Sequence, residues 1–282
     1  MRAQVGDGRL FFDVEGARLV ADGPRMRERP TLLLLHGGPG ADHSYFKPGY
    51  SHLSELAQVI YLDHRSAGRS DRTGPDRWTL DRWGDDVRAF CDALEIERPI
   101  VMGVSFGGMV AMAYATRHPD HPAKLVLCST AARVDLARVA AVFERRGGRA
   151  AAEAALRFFR DPCAKNGADY FRLCMPLYSY LPDPNLAEMF ARTVPNLELS
   201  AHYLRAIETS FNFLPDLLRI KCPTLVMAGE EDPVTPLADS EDIAAALPRE
   251  LVRLERFAKA GHGIATDSPE RFFKVLREFI GS

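Results

Sequence analysis

The feature that most limits the fold of this chain is an alternation of short apolar runs with longer stretches of helical period. Most of the runs are apolar throughout, which is typical of parallel strands covered by helices on both faces. Parallel strands need long crossover connections, and the helical stretches lie between the runs. The alternation therefore predicts an α/β fold with a doubly wound, mostly parallel sheet and flanking helices. The predicted strands are 31–36, 59–63, 100–104, 124–129, 224–229 and 250–255.

Two of the predicted helices carry signals at their first residues. Thr79 is predicted to be the N-cap of the helix over 79–94, because a Thr side chain can accept a backbone N–H there. Ser268 and Pro269 are predicted to be the N-cap and first residue of the helix that closes the chain. Further helices are predicted over 109–117 and 239–247. The alternating segment 9–22 predicts an antiparallel hairpin at the edge of the sheet.

One long segment interrupts this alternation. Residues 132–217 contain no strand pattern, and their alanine-rich, amphipathic sequence is broken by proline-containing turns. We interpret the segment as a helical cap inserted into a core made of residues 1–131 and 218–282. A chain of 282 residues is long enough to bury a sizeable core with such an insertion.

The sequence GVSFGG at 103–108 places Ser105 between a predicted strand and a predicted helix. A sharp strand-to-helix turn of the form G-x-S-x-G exposes a nucleophilic serine, and glycines leave room for its strained backbone. A serine hydroxyl becomes reactive when a base takes its proton and an acid orients that base. A chance match to so short a motif is the competing explanation, which the strand and helix context disfavours.

Backbone N–H groups are expected to stabilise the oxyanion that such a serine generates. One donor is usually the residue after the nucleophile, here Phe106, and another lies in a loop after an earlier strand. The sequence HGGPG at 36–40 follows the predicted strand 31–36, and we choose Gly38 as the second donor. The alternative is that residues 36–40 form only a tight turn rich in Gly and Pro, with no role in catalysis.

The acid and the base are expected in loops that follow strands C-terminal to Ser105. Asp232 follows the strand 224–229 and precedes a proline, while Glu230 and Glu231 are rivals for the same role. His262 is the one histidine C-terminal to Asp232, and the order Ser, Asp, His therefore selects it as the base. His36 and the remaining histidines are interpreted as structural or surface residues.

Composition restricts the partners. Lys and Arg number 36 and Asp and Glu 38, so the formal net charge is −2 and no strong field should attract nucleic acid or an anionic membrane. The N-terminal residues lack the apolar stretch of a signal peptide. The five cysteines lack CxxC spacing and are predicted to be buried thiols in a reducing compartment. We expect a cytoplasmic protein that acts on a small molecule, and its oligomeric state is left open.

Four motifs in order resemble the proline iminopeptidase-like family of the α/β-hydrolase superfamily. They are HGGPG at 36–40, YLDHRSAGRS at 61–70, GVSFGG at 103–108 and GEEDPVTP at 229–236. The resemblance implies an eight-stranded core, a helical cap over the active site, and neither a metal nor a cofactor. It also carries over Ser105, Asp232 and His262 as a catalytic triad, with Gly38 and Phe106 as oxyanion donors.

The sequence departs from this family at positions that bear on substrate. Phe106 and Ser66 stand where the family commonly has Trp and Gly, and Pro233 stands where some members have Glu. Family members hold a substrate amine with carboxylates, some of them in the cap, and no motif marks Glu188, Glu198 or Glu208 for this role. The first hypothesis is therefore a serine hydrolase of small carboxylic esters or lactones. The alternatives are a proline iminopeptidase-like aminopeptidase or amidase and a non-catalytic ligand-binding protein.

Overall fold

Most of the strands form one central sheet in the computed structural model, which describes residues 1–282. The strands are β1 (Arg2–Val5), β2 (Gly8–Glu15), β3 (Leu19–Asp22), β4 (Arg25–Glu28), β5 (Thr31–Leu35), β6 (Gln58–Leu62), β7 (Ile100–Val104), β8 (Lys124–Cys128), β9 (Thr224–Gly229) and β10 (Val252–Phe257). Eight of them pair in the order β1-β2-β6-β5-β7-β8-β9-β10, and β3 pairs with β4 alone. β1, β2 and β6 pair antiparallel and the rest parallel, so the expected eight-stranded, mostly parallel sheet is confirmed.

Alternate residues of β5 enter separate apolar clusters on the two faces of the sheet. Leu33 and Leu35 belong to one cluster, whereas Leu32 and Leu34 belong to the other. All four are fully buried. This arrangement explains why the run is apolar on every residue: side chains of a strand alternate between faces, and both faces are covered here.

Ten α-helices surround and extend the sheet. They are α1 (Leu80–Ala93), α2 (Phe106–Arg117), α3 (Leu136–Gly147), α4 (Arg149–Arg160), α5 (Ala164–Leu173), α6 (Leu186–Arg192), α7 (Leu197–Leu204), α8 (Leu237–Ala246), α9 (Ile264–Asp267) and α10 (Pro269–Gly281). Short 3-10 turns occupy His43–Phe46, Ser51–Glu55, Pro75–Arg77, Met175–Leu177 and Leu217–Arg219. None of the helices is both long and apolar enough to cross a bilayer.

Several predicted elements are confirmed, and several details are corrected. Thr79 caps α1 by accepting the N–H of Arg82 at 3.2 Å. Pro269 is the first residue of α10, but the Ser268 side chain makes no capping hydrogen bond. The hairpin predicted within 9–22 is wrong: β2 pairs with β1 and with β6, and β3 pairs with β4. The turn between β1 and β2 contains Gly6 with a φ of 56°, and this turn determines the pairing.

The segment between β8 and β9 contains five helices, α3 to α7, and no strand. Their buried apolar side chains join the cluster on the α2 face of the sheet, as Phe143 and Tyr203 do. The helical character predicted for 132–217 is therefore present, while the division into core and cap at these boundaries stays a prediction.

The cysteines are all free thiols. Four are buried as expected, but Cys163 at the start of α5 is exposed, so the prediction of buried thiols is wrong for this residue. Cys163 lies between α4 and α5 with an extended backbone, outside the helix faces that pack against the core.

Candidate active site

Loops that follow four parallel strands meet at one edge of the sheet. β5 leads into the loop 36–42, β7 into Ser105, β9 into the loop of Asp232, and β10 into the loop of His262. The register aligns these ends, since Leu35 pairs with Gly103 and Gly229 with Phe257. The carboxyl ends of strands are the usual position of binding sites in open α/β sheets.

Ser105 occupies a strained turn between β7 and α2. Its φ of 56° and ψ of −123° lie outside the regions that non-glycine residues usually adopt. Three hydrogen bonds hold the conformation: its N–H donates to Cys128 O at 2.9 Å, and its carbonyl accepts from Thr130 Oγ1 at 2.7 Å and from the Gly108 N–H at 2.9 Å. A Cβ added to Gly107 would lie 2.1 Å from Leu35 O, so close backbone approach requires glycine there.

Both predicted oxyanion donors have free N–H groups. Phe106 is the first residue of α2, and its N–H has no hydrogen-bond partner; neither has that of Gly38. The N–H of Gly37 is instead taken up by Tyr45 Oη at 2.8 Å, which leaves Gly38 as the available donor of the pair. Burial raises the pKa of Tyr45, so its hydroxyl stays neutral.

Asp232 and His262 are in contact. Asp232 Oδ2 lies 2.8 Å from His262 Nδ1, and the Asp232 side chain is 1% exposed. A carboxylate only accepts hydrogen bonds, so Nδ1 carries the hydrogen and Nε2 is left as an acceptor. The two other candidates for the acid do not contact His262. Glu230 is exposed, and Glu231 forms an ion pair with Arg145 at 3.0 Å.

The remaining acceptor positions of Asp232 are filled by its own loop. Oδ1 accepts the N–H groups of Val234 at 2.8 Å and Thr235 at 3.0 Å, and Oδ2 also accepts the Thr235 hydroxyl at 2.8 Å. This carboxylate is therefore fixed in orientation and satisfied while buried. The Ser105 hydroxyl itself makes no hydrogen bond to His262 in this structure.

The loop of His262 is supported by residues that no motif identified. His262 N–H donates to Tyr178 O at 2.6 Å, and the Tyr178 ring meets the imidazole edge to face at 5.3 Å. Arg146 of α3 donates to Leu177 O, to Ser179 O at 2.8 Å and to Glu231 O at 2.7 Å. Arg146 thus connects the loop around Tyr178 to the loop of Asp232. Sequence reasoning missed these contacts because their acceptors are backbone carbonyls.

His36 has a structural role, as the sequence indicated. Its Nε2 accepts the N–H of His64 at 3.1 Å, and His64 Nε2 lies 3.1 Å from His36 O. Burial lowers the pKa of both imidazoles, that of His64 strongly, so neither is charged near neutral pH. Ser66 adopts a φ of 63°, which explains why glycine would suit this position.

The segment 132–217, the predicted cap, contains no buried carboxylate. Glu188, Glu198 and Glu208 are all exposed. The buried carboxylates of the chain lie outside 132–217, and they are Asp42, Asp63, Asp86, Asp232 and Asp239. The predicted cap therefore offers no buried carboxylate that could bind a substrate amine.

Comparison with known proteins gives the family. Residues 30–269 match the family model described as the alpha/beta hydrolase fold. The chain therefore belongs to the α/β-hydrolase family and is an enzyme of that family.

Relatives within the family carry several names. A protein from Caulobacter sp. strain K31, named as a provisional carbamate hydrolase, RutD, is 30% identical over 99% of this chain and 98% of its own length. The proline iminopeptidase PfmaB of Pestalotiopsis fici is 28% identical over 96% of this chain and 98% of its own. A proline iminopeptidase from Mycobacterium smegmatis, known from a crystal structure, has 24% sequence identity to this chain. The superposition covers 100% of this chain and 97% of the iminopeptidase chain with a TM-score of 0.76, which shows that the fold is shared.

Proposed function

We propose that the protein is a serine hydrolase that cleaves a small carboxylic ester or lactone through an acyl-enzyme. The observation that carries the proposal is the convergence at one sheet edge of Ser105 on a strained turn, two free backbone donors, and His262 paired with the buried Asp232. Each part supplies one requirement of acyl transfer: a nucleophile, a stabilised oxyanion and a positioned base.

In the proposed mechanism, Ser105 Oγ attacks the ester carbonyl while His262 Nε2 takes its proton. The oxyanion accepts hydrogen bonds from the N–H groups of Gly38 and Phe106. His262 then gives the proton to the leaving alkoxide, and water repeats the sequence to release the acid. Asp232 holds the Nδ1–H tautomer and stabilises the imidazolium, as its 2.8 Å contact allows.

Esters and lactones are proposed over aminoacyl substrates because the cap lacks a buried carboxylate. A substrate ammonium group that leaves water needs a charged partner, since an unpaired buried charge costs several kcal/mol. The three cap acids named above are exposed, so none is desolvated beside the site. An uncharged acyl group avoids this cost.

The test compares p-nitrophenyl acetate and butyrate with a small lactone and with proline p-nitroanilide. We expect the highest kcat/KM with an ester or the lactone. A strong preference for the anilide would instead support the second candidate, a proline iminopeptidase-like aminopeptidase or amidase. That candidate is favoured by the HGGPG sequence at 36–40 and by the similarity to PfmaB.

A third possibility, a non-catalytic ligand-binding protein, is separated by covalent labelling. A fluorophosphonate probe should modify Ser105, because it reacts with an activated serine and a pure binding protein has none. Absence of labelling in a folded preparation would contradict the proposed mechanism. The cytoplasmic location is likewise a proposal, which fractionation of cells that express the chain would test.

A further inference from the structure

The cap contacts the oxyanion loop directly through one short segment. We call residues 193–200 the clasp. Its backbone and side chains meet the loop 36–42 in three hydrogen bonds: Val194 N–H to Asp42 Oδ2 at 2.8 Å, Asn196 N–H to Gly40 O at 2.7 Å, and Ser200 Oγ to Pro39 O at 2.6 Å. Two of these acceptors are the backbone carbonyls of Pro39 and Gly40, which lie one and two residues after Gly38.

Gly40 is the point of closest approach. A Cβ added there would lie 2.4 Å from both Asn196 O and Ser200 Oγ, and the φ of Gly40 is 79°. A side chain at this position would therefore push the clasp away from the loop. The last glycine of HGGPG thus makes room for the cap.

Asn196 extends the clasp to a second core loop. Its Nδ2 donates to Ser66 O at 2.8 Å, while its Oδ1 accepts the N–H of Leu199 at 3.2 Å and caps α7. The Asp42 carboxylate, which accepts a hydrogen bond from the Val194 N–H of the clasp, also accepts one from Arg69 Nη1 at 2.7 Å. One residue of the cap thereby links α7 with the loops that follow β5 and β6.

We propose that Asn196 and Ser200 are positioning residues that hold the oxyanion loop with the Gly38 N–H aimed at the reacting carbonyl. The loop is held on both sides of Gly38, since Tyr45 binds the N–H of Gly37 and Ser200 binds the carbonyl of Pro39. A donor held in place before the reaction stabilises developing charge without reorganisation. This end of the cap is accordingly part of the catalytic apparatus. The inference rests on the proposed function of the site.

The first experiment measures kcat and KM for the best ester in Ser200→Ala and Asn196→Asp. Ser200→Ala removes the donor to Pro39 O, and Asn196→Asp keeps the helix cap while removing the donor to Ser66 O. Each should lower kcat about tenfold with KM unchanged, because the lost alignment matters in the transition state. The matched controls are Ser210→Ala and Asn185→Asp, exposed cap residues whose side chains make no hydrogen bond, and both should keep wild-type kcat.

Two further measurements separate positioning from simple loss of folding. The pH at which kcat/KM falls to half should stay at its wild-type value, because the Asp232–His262 pair is untouched. Amide hydrogen exchange in 36–42 should become faster in both variants and remain slow in both controls. Wild-type kcat in Ser200→Ala and Asn196→Asp, or a loss of activity that matches the unfolded fraction, would overturn the inference.

The exchange measurement also keeps the two proposals distinguishable. A wild-type protein that neither hydrolyses esters nor reacts with a fluorophosphonate would contradict the proposed function. Exchange that stays unchanged in both variants would contradict the clasp alone, whatever the activity of the wild-type protein.

Discussion

The turn that carries Ser105 and the loop that carries His262 are held in different ways. The serine turn is built by the core alone, through Cys128 O, Thr130 Oγ1 and the crowded glycines at 103 and 107. The histidine loop depends on both the core and the cap, since Asp232 orients the ring and Tyr178 O accepts the backbone N–H.

Because of this difference, substitutions in separate parts of the molecule should affect the nucleophile and the base. The serine turn is fixed by steric contact, because a Cβ at Gly103 would lie 2.2 Å from Gly107 O. The histidine loop is fixed by hydrogen bonds that reach into the predicted cap. Substitutions at Arg146 and around Tyr178 should therefore weaken the base and spare the turn of Ser105.

The largest expected effect is that of Ser105→Ala, which removes the nucleophile and leaves the turn intact. Turnover of the best ester should fall by roughly 10³ to 10⁶, as in knockouts of other catalytic serines. Circular dichroism and the Tm should match the wild-type protein. Substantial activity in a clean preparation would remove Ser105 from the mechanism.

Asp232→Asn should lower kcat by roughly 10³ to 10⁴, because an amide neither stabilises the imidazolium nor enforces the reactive tautomer. Glu231→Gln is the matched control, since Glu231 pairs with Arg145 and does not touch His262. Steady-state kinetics on the same ester provide the measurement. If Glu231→Gln lost activity while Asp232→Asn kept it, the catalytic acid would be Glu231 and not Asp232.

Arg146→Ala tests whether the cap supports the base. It removes three donors to the carbonyls of Leu177, Ser179 and Glu231, which should loosen the loop of Tyr178 and lower kcat about 10- to 100-fold.

The control for that prediction is the neighbouring residue. Arg145→Ala removes only an exposed ion pair with Glu231 and should change kcat less than about twofold. Equal kinetic losses in the two variants would mean that Arg146 has no special relation to His262. The comparison of the two loops would then lose its support.

The smallest expected effect concerns the contact of α3 with the core. Burial raises the pKa of Asp239 to about 6, although Arg138 lies 2.9 Å away and opposes the shift. A carboxyl that holds its proton more tightly when folded stabilises the fold at low pH. This contribution is lost as the pH rises through about 6.

Asp239→Asn cannot titrate and should lack this decline. The free energy of unfolding of Asp239→Asn minus that of the wild-type protein should be about 1 to 2 kcal/mol larger at pH 7.5 than at pH 4.5, which means a relative gain in stability at the higher pH. Urea unfolding at both pH values measures it. An equal difference at the two values would show that Asp239 does not titrate in this range.

The strands were predictable because their physical signal is local and repeated. Six predicted runs agree with β5 to β10 within about two residues at either end, and apolar residues on both faces caused that signal. The start of α2 was placed three residues too late, at 109 instead of Phe106. Gly107 and Gly108 are poor helix formers, and only crowding by Leu35 O and Thr130 explains their presence in the first turn.

The candidate site was partly predictable for a related reason. Ser105, Asp232 and His262 were located by motifs and chain order, and the structure brings Asp232 into contact with His262. The role of all three stays a prediction. No motif pointed to Arg146, because its guanidinium is half-buried against backbone carbonyls, which carry no pattern in the sequence.

The order of the strands and helices, the strained serine turn and the identity of the polar side chains follow from the residues of the chain. Apolar period, glycines and motif spacing are properties of the residues and can be read along the chain. The backbone carbonyls that join the predicted cap to the core, such as those of Pro39, Gly40 and Tyr178, are known from the folded chain alone. Every residue carries the same carbonyl, so its partner depends on where the chain brings it and leaves no mark in the sequence.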